Sequence, residues 1–173
     1  KPSSGKSTQV ENIRAYFVSN GREVVVSREP GGTSISEKLR SIVLDNANSE
    51  MGDVTEMLIY AAARAQHVTE KIRPALERGA VVICDRFVDS SIAYQGFGRN
   101  LGDQVSEVNR YATGGLAPDV TDRLEQQKLD FHYRVYDGYK ALCDKYPERV
   151  VRIDASKTVD EIKGDIYLKL EAL

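Results

Sequence analysis

Lys1-Pro2-Ser3-Ser4-Gly5-Lys6-Ser7-Thr8 leads into Val10, Ile13 and Phe17 at helical spacing, and then past Gly21 into Val24-Val25-Val26. The opening residues match the tail of a G-x-x-x-x-G-K-S/T loop whose first glycine would fall just ahead of Lys1. In such a loop, successive backbone N–H groups curl round a β-phosphate. Gly5 would allow the close approach, Lys6 would reach the β and γ oxygens, and the Ser7 hydroxyl would ligate Mg²⁺. A Gly-Lys-Ser triplet also occurs on ordinary surface turns, but its place at the head of an amphipathic helix favours the phosphate loop.

Working outward, helical and strand patterns alternate with no repeat and no low-complexity stretch. Val24-Val25-Val26 is too short and too β-branched for a helix and reads as a buried strand. Ile35, Leu39, Ile42 and Val43 predict a second helix, and a longer one runs from about Val54 through Ala61, Arg64 and Val68, with a kink or restart at Pro74 and a stop at Gly79. Val81-Val82-Ile83-Cys84 predicts another buried strand, and Val150, Val151 and Ile153 the last, followed by a helix through Val159, Ile162, Ile166 and Leu170. This alternation means an α/β chain: a P-loop three-layer fold with a mostly parallel central sheet flanked by helices. Pro118-Asp119-Val120-Thr121 looks like the entry to a strand but meets Asp122-Arg123-Leu124-Glu125, which reads as a charged helix. The expectation is one domain, 1–173, that lacks the first strand and a lid or strand segment between 121 and 122.

Composition narrows the class. The 173 residues are 41% hydrophobic and carry 24 basic against 26 acidic side chains, enough apolar surface for a core and too little charge for disorder. No apolar run is long enough to span a membrane, and the first residues do not resemble a signal region. Cys84 and Cys143 lack metal-ligand spacing and make no disulfide scaffold, so a reducing cytoplasm is expected. The near-neutral balance argues against holding nucleic acid by bulk charge.

Two further motifs stand at strand ends. Ser27-Arg28-Glu29-Pro30-Gly31-Gly32-Thr33 follows one predicted strand and Asp85-Arg86-Phe87 another, where the carboxyl ends of parallel strands open onto a ligand crevice. Each has a plainer reading, a turn with a solvated arginine and a structural Asp-Arg pair. Together, beside a phosphate loop, the two arginines suggest a second phosphorylated ligand facing a nucleotide, and hence phosphoryl transfer.

The series Gly5-Lys6-Ser7-Thr8, Arg28-Glu29-Pro30-Gly31-Gly32-Thr33, Leu58 to Arg64, Ile72 to Gly79, Cys84 to Phe87 with Ser90 to Gly96, and Ala112 to Asp119 resembles the bacterial thymidylate kinases. The resemblance covers most of the chain, and it implies a nucleoside monophosphate kinase moving the γ-phosphoryl of ATP to dTMP, giving dTDP for dTTP synthesis, with Mg²⁺ on the donor. By the same resemblance, Arg28 and Arg86 meet the acceptor phosphate, Asp85 is the active-centre carboxylate near Arg86 or the metal, Tyr60 stacks on thymine and Arg64 faces a base carbonyl. Ser91, Tyr94 and Gln95 match a loop closing on base and sugar, with the ring at 94 crowding the 2′ position. Lys1, Pro2, Ser3, Ser4, Gly5, Lys6, Ser7 and Thr8 fall on the ATP side, with Ala155 in the loop near the adenine. The resemblance also points to a homodimer built on helices, while composition alone speaks for the cytoplasm and against nucleic-acid or membrane partners.

The chain departs from the pattern at Pro2, where relatives usually carry an acid, and at Ser3, where one branch has an arginine; in the other branch lid arginines serve, and only Arg123 remains at the lid's edge. A deoxynucleoside kinase would share the loop and the strand-end pair, but a neutral acceptor leaves Arg28 unexplained. A GTPase switch would need an N-K-x-D guanine motif, which is absent.

Overall fold

The computed structural model describes residues 6–124 and 130–172. Helix α1, Lys6–Ser19, starts at the lysine of the phosphate-loop motif. It lies along the C-terminal helix α8, Val159–Leu170, where the Tyr16 and Tyr167 rings sit 4.9 Å apart, the Tyr167 hydroxyl donates to Asn12 O at 2.9 Å, and the buried Gln9 donates to Val159 O at 3.1 Å. A capping box at Thr158 and Glu161 starts α8 by satisfying otherwise orphaned backbone donors.

Strands β1, Val24–Arg28, and β2, Val81–Asp85, pair in parallel, with Val24 opposite Val81 and Arg28 opposite Asp85. Helices α2, Ser34–Leu44, and α3, Asp53–His67, make the crossover between them, continued by a π-helical turn at Val68–Ile72 and α4, Arg73–Glu77, with its proline in the first turn. Thr33 caps α2 by accepting from Ser36 N–H, and the buried Ser36 hydroxyl donates to Ala63 O at 2.8 Å, which locks α2 against α3. Acids in the first turn of α3 and bases in its last suit the helix dipole.

After β2 come α5, Val88–Ser91, a π-helical stretch at Ile92–Gly98, and α6, Gln104–Thr113, which ends at Gly114 in the left-handed region. A second parallel pair joins β3, Thr121–Leu124, to β4, Val150–Ile153, through α7, Asp130–Lys145. One core cluster, Ala93, Val135, Tyr139, Leu142 and Val150, fixes the π-helical stretch, α7 and β4 together. A second, Ile153, Ile162 and Ile166, seats α8 on β4 with Ile13 of α1 against it. Gly138 of α7 sits so close to the π-helical stretch that a Cβ there would lie 2.9 Å from the Phe97 ring and 3.0 Å from Ala93 Cα.

Three expectations change. The residues Asp122 to Leu124 form part of β3 in register with Val151 to Ile153, not a helix, because strand pairing to the β-branched β4 outweighs local helical preference. Val26 is 39% exposed and β2 is half-buried, so neither strand is fully covered, and among the described residues each sheet has only two strands. Ser91, Tyr94 and Gln95, expected in a loop, lie in a segment that is helical throughout 88–98.

Candidate active site

The register of β1 and β2 puts Arg28 and Asp85 side by side at the carboxyl ends of adjacent parallel strands, and Glu29 N–H donates to Asp85 O at 2.9 Å. Ser7 at the start of α1 joins them. The hydroxyl-bearing Ser7, the guanidinium of Arg28, the carboxylate of Asp85 and Gly32 line one open cavity of about 450 Å³. Hard oxygen donors and a cation facing one cavity suit a phosphorylated ligand.

Arg28 is not a solitary surface charge. Its guanidinium grips Glu37 with both carboxylate oxygens, at 3.0 and 3.1 Å, and also donates to Pro30 O. Glu37 in turn accepts from Gly32 N–H at 2.8 Å, and that backbone bond, ahead of the arginine, holds its carboxyl below the usual range. Arg40 donates to the same Pro30 carbonyl, so α2 holds the turn 28–32 from below.

Arg86 adopts φ +72°, a left-handed backbone that a bulky residue seldom takes, and Cys84 Sγ donates to its carbonyl at 3.1 Å. The twist brings its guanidinium over the Tyr94 ring, 5.1 Å from the centroid. Partial burial works against the charge, but the Tyr94 hydroxyl, Tyr139 and Asp85 outweigh it and raise the Arg86 pKa. Tyr60 belongs to the same neighbourhood: its hydroxyl pKa is raised by burial first and by Glu56 second, with Arg86 opposing.

Arg64, one turn beyond Tyr60 on α3, is almost wholly buried. It donates to Glu29 Oε2 at 2.6 Å, to Ser91 Oγ at 3.0 Å and to Asn109 Oδ1, and lies over the Phe87 ring. Gln95 donates to Glu56 at 2.9 Å, the acid that Arg99 also grips. Tyr60, Arg64, Arg86, Ser91, Tyr94 and Gln95 are thus gathered by α3, the end of β2 and the helical segment 88–98. Lys6 and Thr8 lie on the first turn of α1, and Ala155 lies in the turn after β4, where Asp154 accepts from the Ser156 amide and hydroxyl. The expected donor residues Lys1, Pro2, Ser3, Ser4 and Gly5 lie outside the described residues, as does the side chain of Arg123.

Sequence reasoning missed Glu29, Glu37, Glu56 and Asn109, all of which hold site residues. Glu29 and Glu37 had a signal, an acid beside and another nine residues beyond an arginine at a strand end. The others are set by tertiary packing alone.

Comparison with known proteins gives the family of the chain. The family model described as thymidylate kinase matches residues 3–121. A thymidylate kinase of Exiguobacterium sp. is 44% identical over 184 residues, covering 94% of this chain and 87% of the relative. One of Lactobacillus delbrueckii subsp. bulgaricus is 47% identical over 183 residues, covering 92% and 86%. The crystal structure of the thymidylate kinase of Ehrlichia chaffeensis superposes with a TM-score of 0.85 at 30% identity, over 98% of this chain and 94% of that one.

Proposed function

Since this chain belongs to the thymidylate kinase family, whose members phosphorylate dTMP to dTDP as nucleoside monophosphate kinases with ATP as donor, we propose an assignment of that work to its residues. Lys6 and Ser7 hold the donor phosphates. Arg28 and Arg86 neutralise the acceptor phosphate, Asp85 orients Arg86, Tyr60 and Arg64 read the thymine, and Ser91, Tyr94 and Gln95 close on base and sugar. Such a reaction is catalysed chiefly by positioning and by charge placed where it develops, and two arginines and a lysine suit it better than any general acid. The observation that carries the assignment is the convergence of Ser7, Arg28 and Asp85 on one cavity at adjoining strand ends.

Mg²⁺ fits the same place, because the Ser7 hydroxyl and the Asp85 carboxylate are hard oxygen donors facing that cavity. When bound there it would neutralise and orient the donor's β and γ oxygens. The remaining groups act on the acceptor: Tyr94, with its ring under Arg86, sets both the sugar wall and the reach of the guanidinium. A coupled ADP-release assay with dTMP, thymidine, dUMP and no acceptor tests the assignment. ADP release with dTMP that collapses in Arg28→Ala and Lys6→Ala supports it, and a preference for thymidine would return the deoxynucleoside kinase reading.

Three wider features follow as proposals. The chain forms one domain, completed by a strand leading into the phosphate loop and by a lid segment at the junction of 121 and 122. In support, β2 and β3 each pair on one side only among the described residues, and the alignments span 184 and 183 positions while drawing on only 94% and 92% of 173 residues. The relatives therefore carry residues inside the matched range that have no counterpart here. A homodimer is supported by exposed Ile35, Ile42 and Leu44 on α2 with Val54 and Leu58 on the adjoining α3; sedimentation as a monomer at micromolar concentration would exclude it. A cytoplasmic location agrees with two free thiols, and among the described residues no helix is long and apolar enough to cross a membrane.

A further inference from the structure

We propose that His67 is a positioning residue that ties the two ends of the acceptor site together, setting the Arg28 turn and the Arg64 guanidinium as one unit. This rests on the assignment of Arg28 and Arg64 to dTMP.

His67 ends α3 and has 0% exposure, yet both ring nitrogens are engaged. Nε2 lies 2.7 Å from Ser27 Oγ and Nδ1 lies 3.0 Å from Glu29 Oε1. An ionised carboxylate only accepts, so Nδ1 donates to Glu29, and the Ser27 hydroxyl complements whatever Nε2 presents. The second oxygen of Glu29 accepts from Arg64 Nε. The result is an unbroken buried chain, Ser27 to His67 to Glu29 to Arg64. Ser27 and Glu29 are the two neighbours of Arg28, so the ring holds the backbone on both sides of the phosphate-facing arginine. The same carboxylate holds the arginine that faces the base, one helical turn from His67 on the same face of α3.

The fit is close. At Gly32, with φ +89°, a Cβ would lie 2.6 Å from His67 Nε2 and 2.7 Å from Ser27 Oγ, so the turn folds directly onto the ring. Burying three polar side chains for packing alone would be costly; here every polar atom of His67 and Glu29 has a partner, which makes the set a rigid link. The order Ser27, His67, Glu29 also matches a nucleophile, base and acid relay. However, Gly32 backs directly onto the hydroxyl, the place of a Cβ there lying 2.7 Å from Ser27 Oγ, so no room is left beside it for a scissile bond. Cys84 lies with Glu29 and His67 in a trio whose ligand atoms are within 4.8 Å, but both histidine nitrogens and both carboxylate oxygens are committed within the protein. The trio is a polar clasp and not a metal site.

Steady-state kinetics against each substrate test the link in wild type and in His67→Ala, His67→Gln, Ser27→Ala, Arg28→Ala, Arg64→Ala and the His67→Ala/Arg64→Ala double variant. His67→Ala should raise the KM for dTMP about tenfold or more and leave the KM for ATP within about twofold, with partial recovery in His67→Gln. The double variant should lose less than the product of the two single losses, because part of the histidine's effect passes through that arginine and the rest through the Arg28 turn. If His67→Ala does not fold, His67→Gln and Ser27→Ala should show the same split at about threefold. A dTMP KM within twofold of wild type, or equal rises in both KM values, overturns the link. If Arg28→Ala and Arg64→Ala raise the KM for dTMP and the His67 and Ser27 variants do not, the link alone fails. If the arginine variants leave it unchanged, the acceptor-site assignment fails and the link with it.

Discussion

At the scale of single residues, charge placement governs what each substitution should do. Lys6→Ala removes the cation that meets the transferring group, and turnover in the coupled assay should fall by at least ~2 orders of magnitude, since each ~1.4 kcal/mol is tenfold. Arg28→Ala should weaken dTMP use while shifting the melting temperature by only a few degrees, because the pair it forms with Glu37 is half-exposed and such pairs contribute little to stability. A large loss of stability with unchanged acceptor kinetics would mean that the arginine only braces the turn. Tyr94→Ala removes the ring beneath Arg86, so the preference for dTMP over its ribose counterpart should narrow by ~1–3 kcal/mol in the ratio of kcat/KM values. Equal losses for both acceptors would assign sugar selection elsewhere. Arg28, Asp85 and Arg86 were legible in the sequence because a strand end exposes its last residues to the crevice. The partners that hold the rest of the site were not: Glu56, which bonds Gln95, and Asn109, which bonds Arg64, come from helices whose faces are chosen by packing, and nothing local marks them.

At the scale of elements, the helices and both early strands could be read from periodicity, since an amphipathic stripe and a β-branched run leave a local trace. β3 could not, because its pattern Thr121-Asp122-Arg123-Leu124 is charged and becomes a strand only by pairing with Val150 to Ile153. That pairing has a cost at Asp122, whose Oδ1 is buried without a partner among the described residues and whose pKa burial raises to about 6. A carboxyl raised in this way favours its neutral form in the folded state. Its penalty is therefore absent below the ordinary carboxylate range near 3.8, grows as pH rises, and is complete above about 6. Asp122→Asn should flatten the fall in stability between pH 4 and 7 and raise the urea midpoint at pH 7.5 by an amount worth up to about 3 kcal/mol. An unchanged pH profile would show that the carboxyl is solvated.

At the scale of the whole molecule, the acceptor site depends on how the C-terminal half packs, because α7 presses on the helical segment that carries Tyr94 and Gln95 through the gap at Gly138. Gly138→Ala gains about 1 kcal/mol of helix propensity but forces a methyl against the Phe97 ring and the Ala93 backbone, and overpacking of that kind costs about 1–3 kcal/mol. The variant should lose stability in urea and raise the KM for dTMP more than that for ATP, and a variant with wild-type values would show that Phe97 simply swings aside. The same gap carries a consequence for descent. Positions 97 and 138 form a lock whose two halves cannot drift separately, so lineages that place a side chain at 138 should also have exchanged the aromatic at 97 for something smaller, and an alignment of orthologues should record the two changes on the same branches.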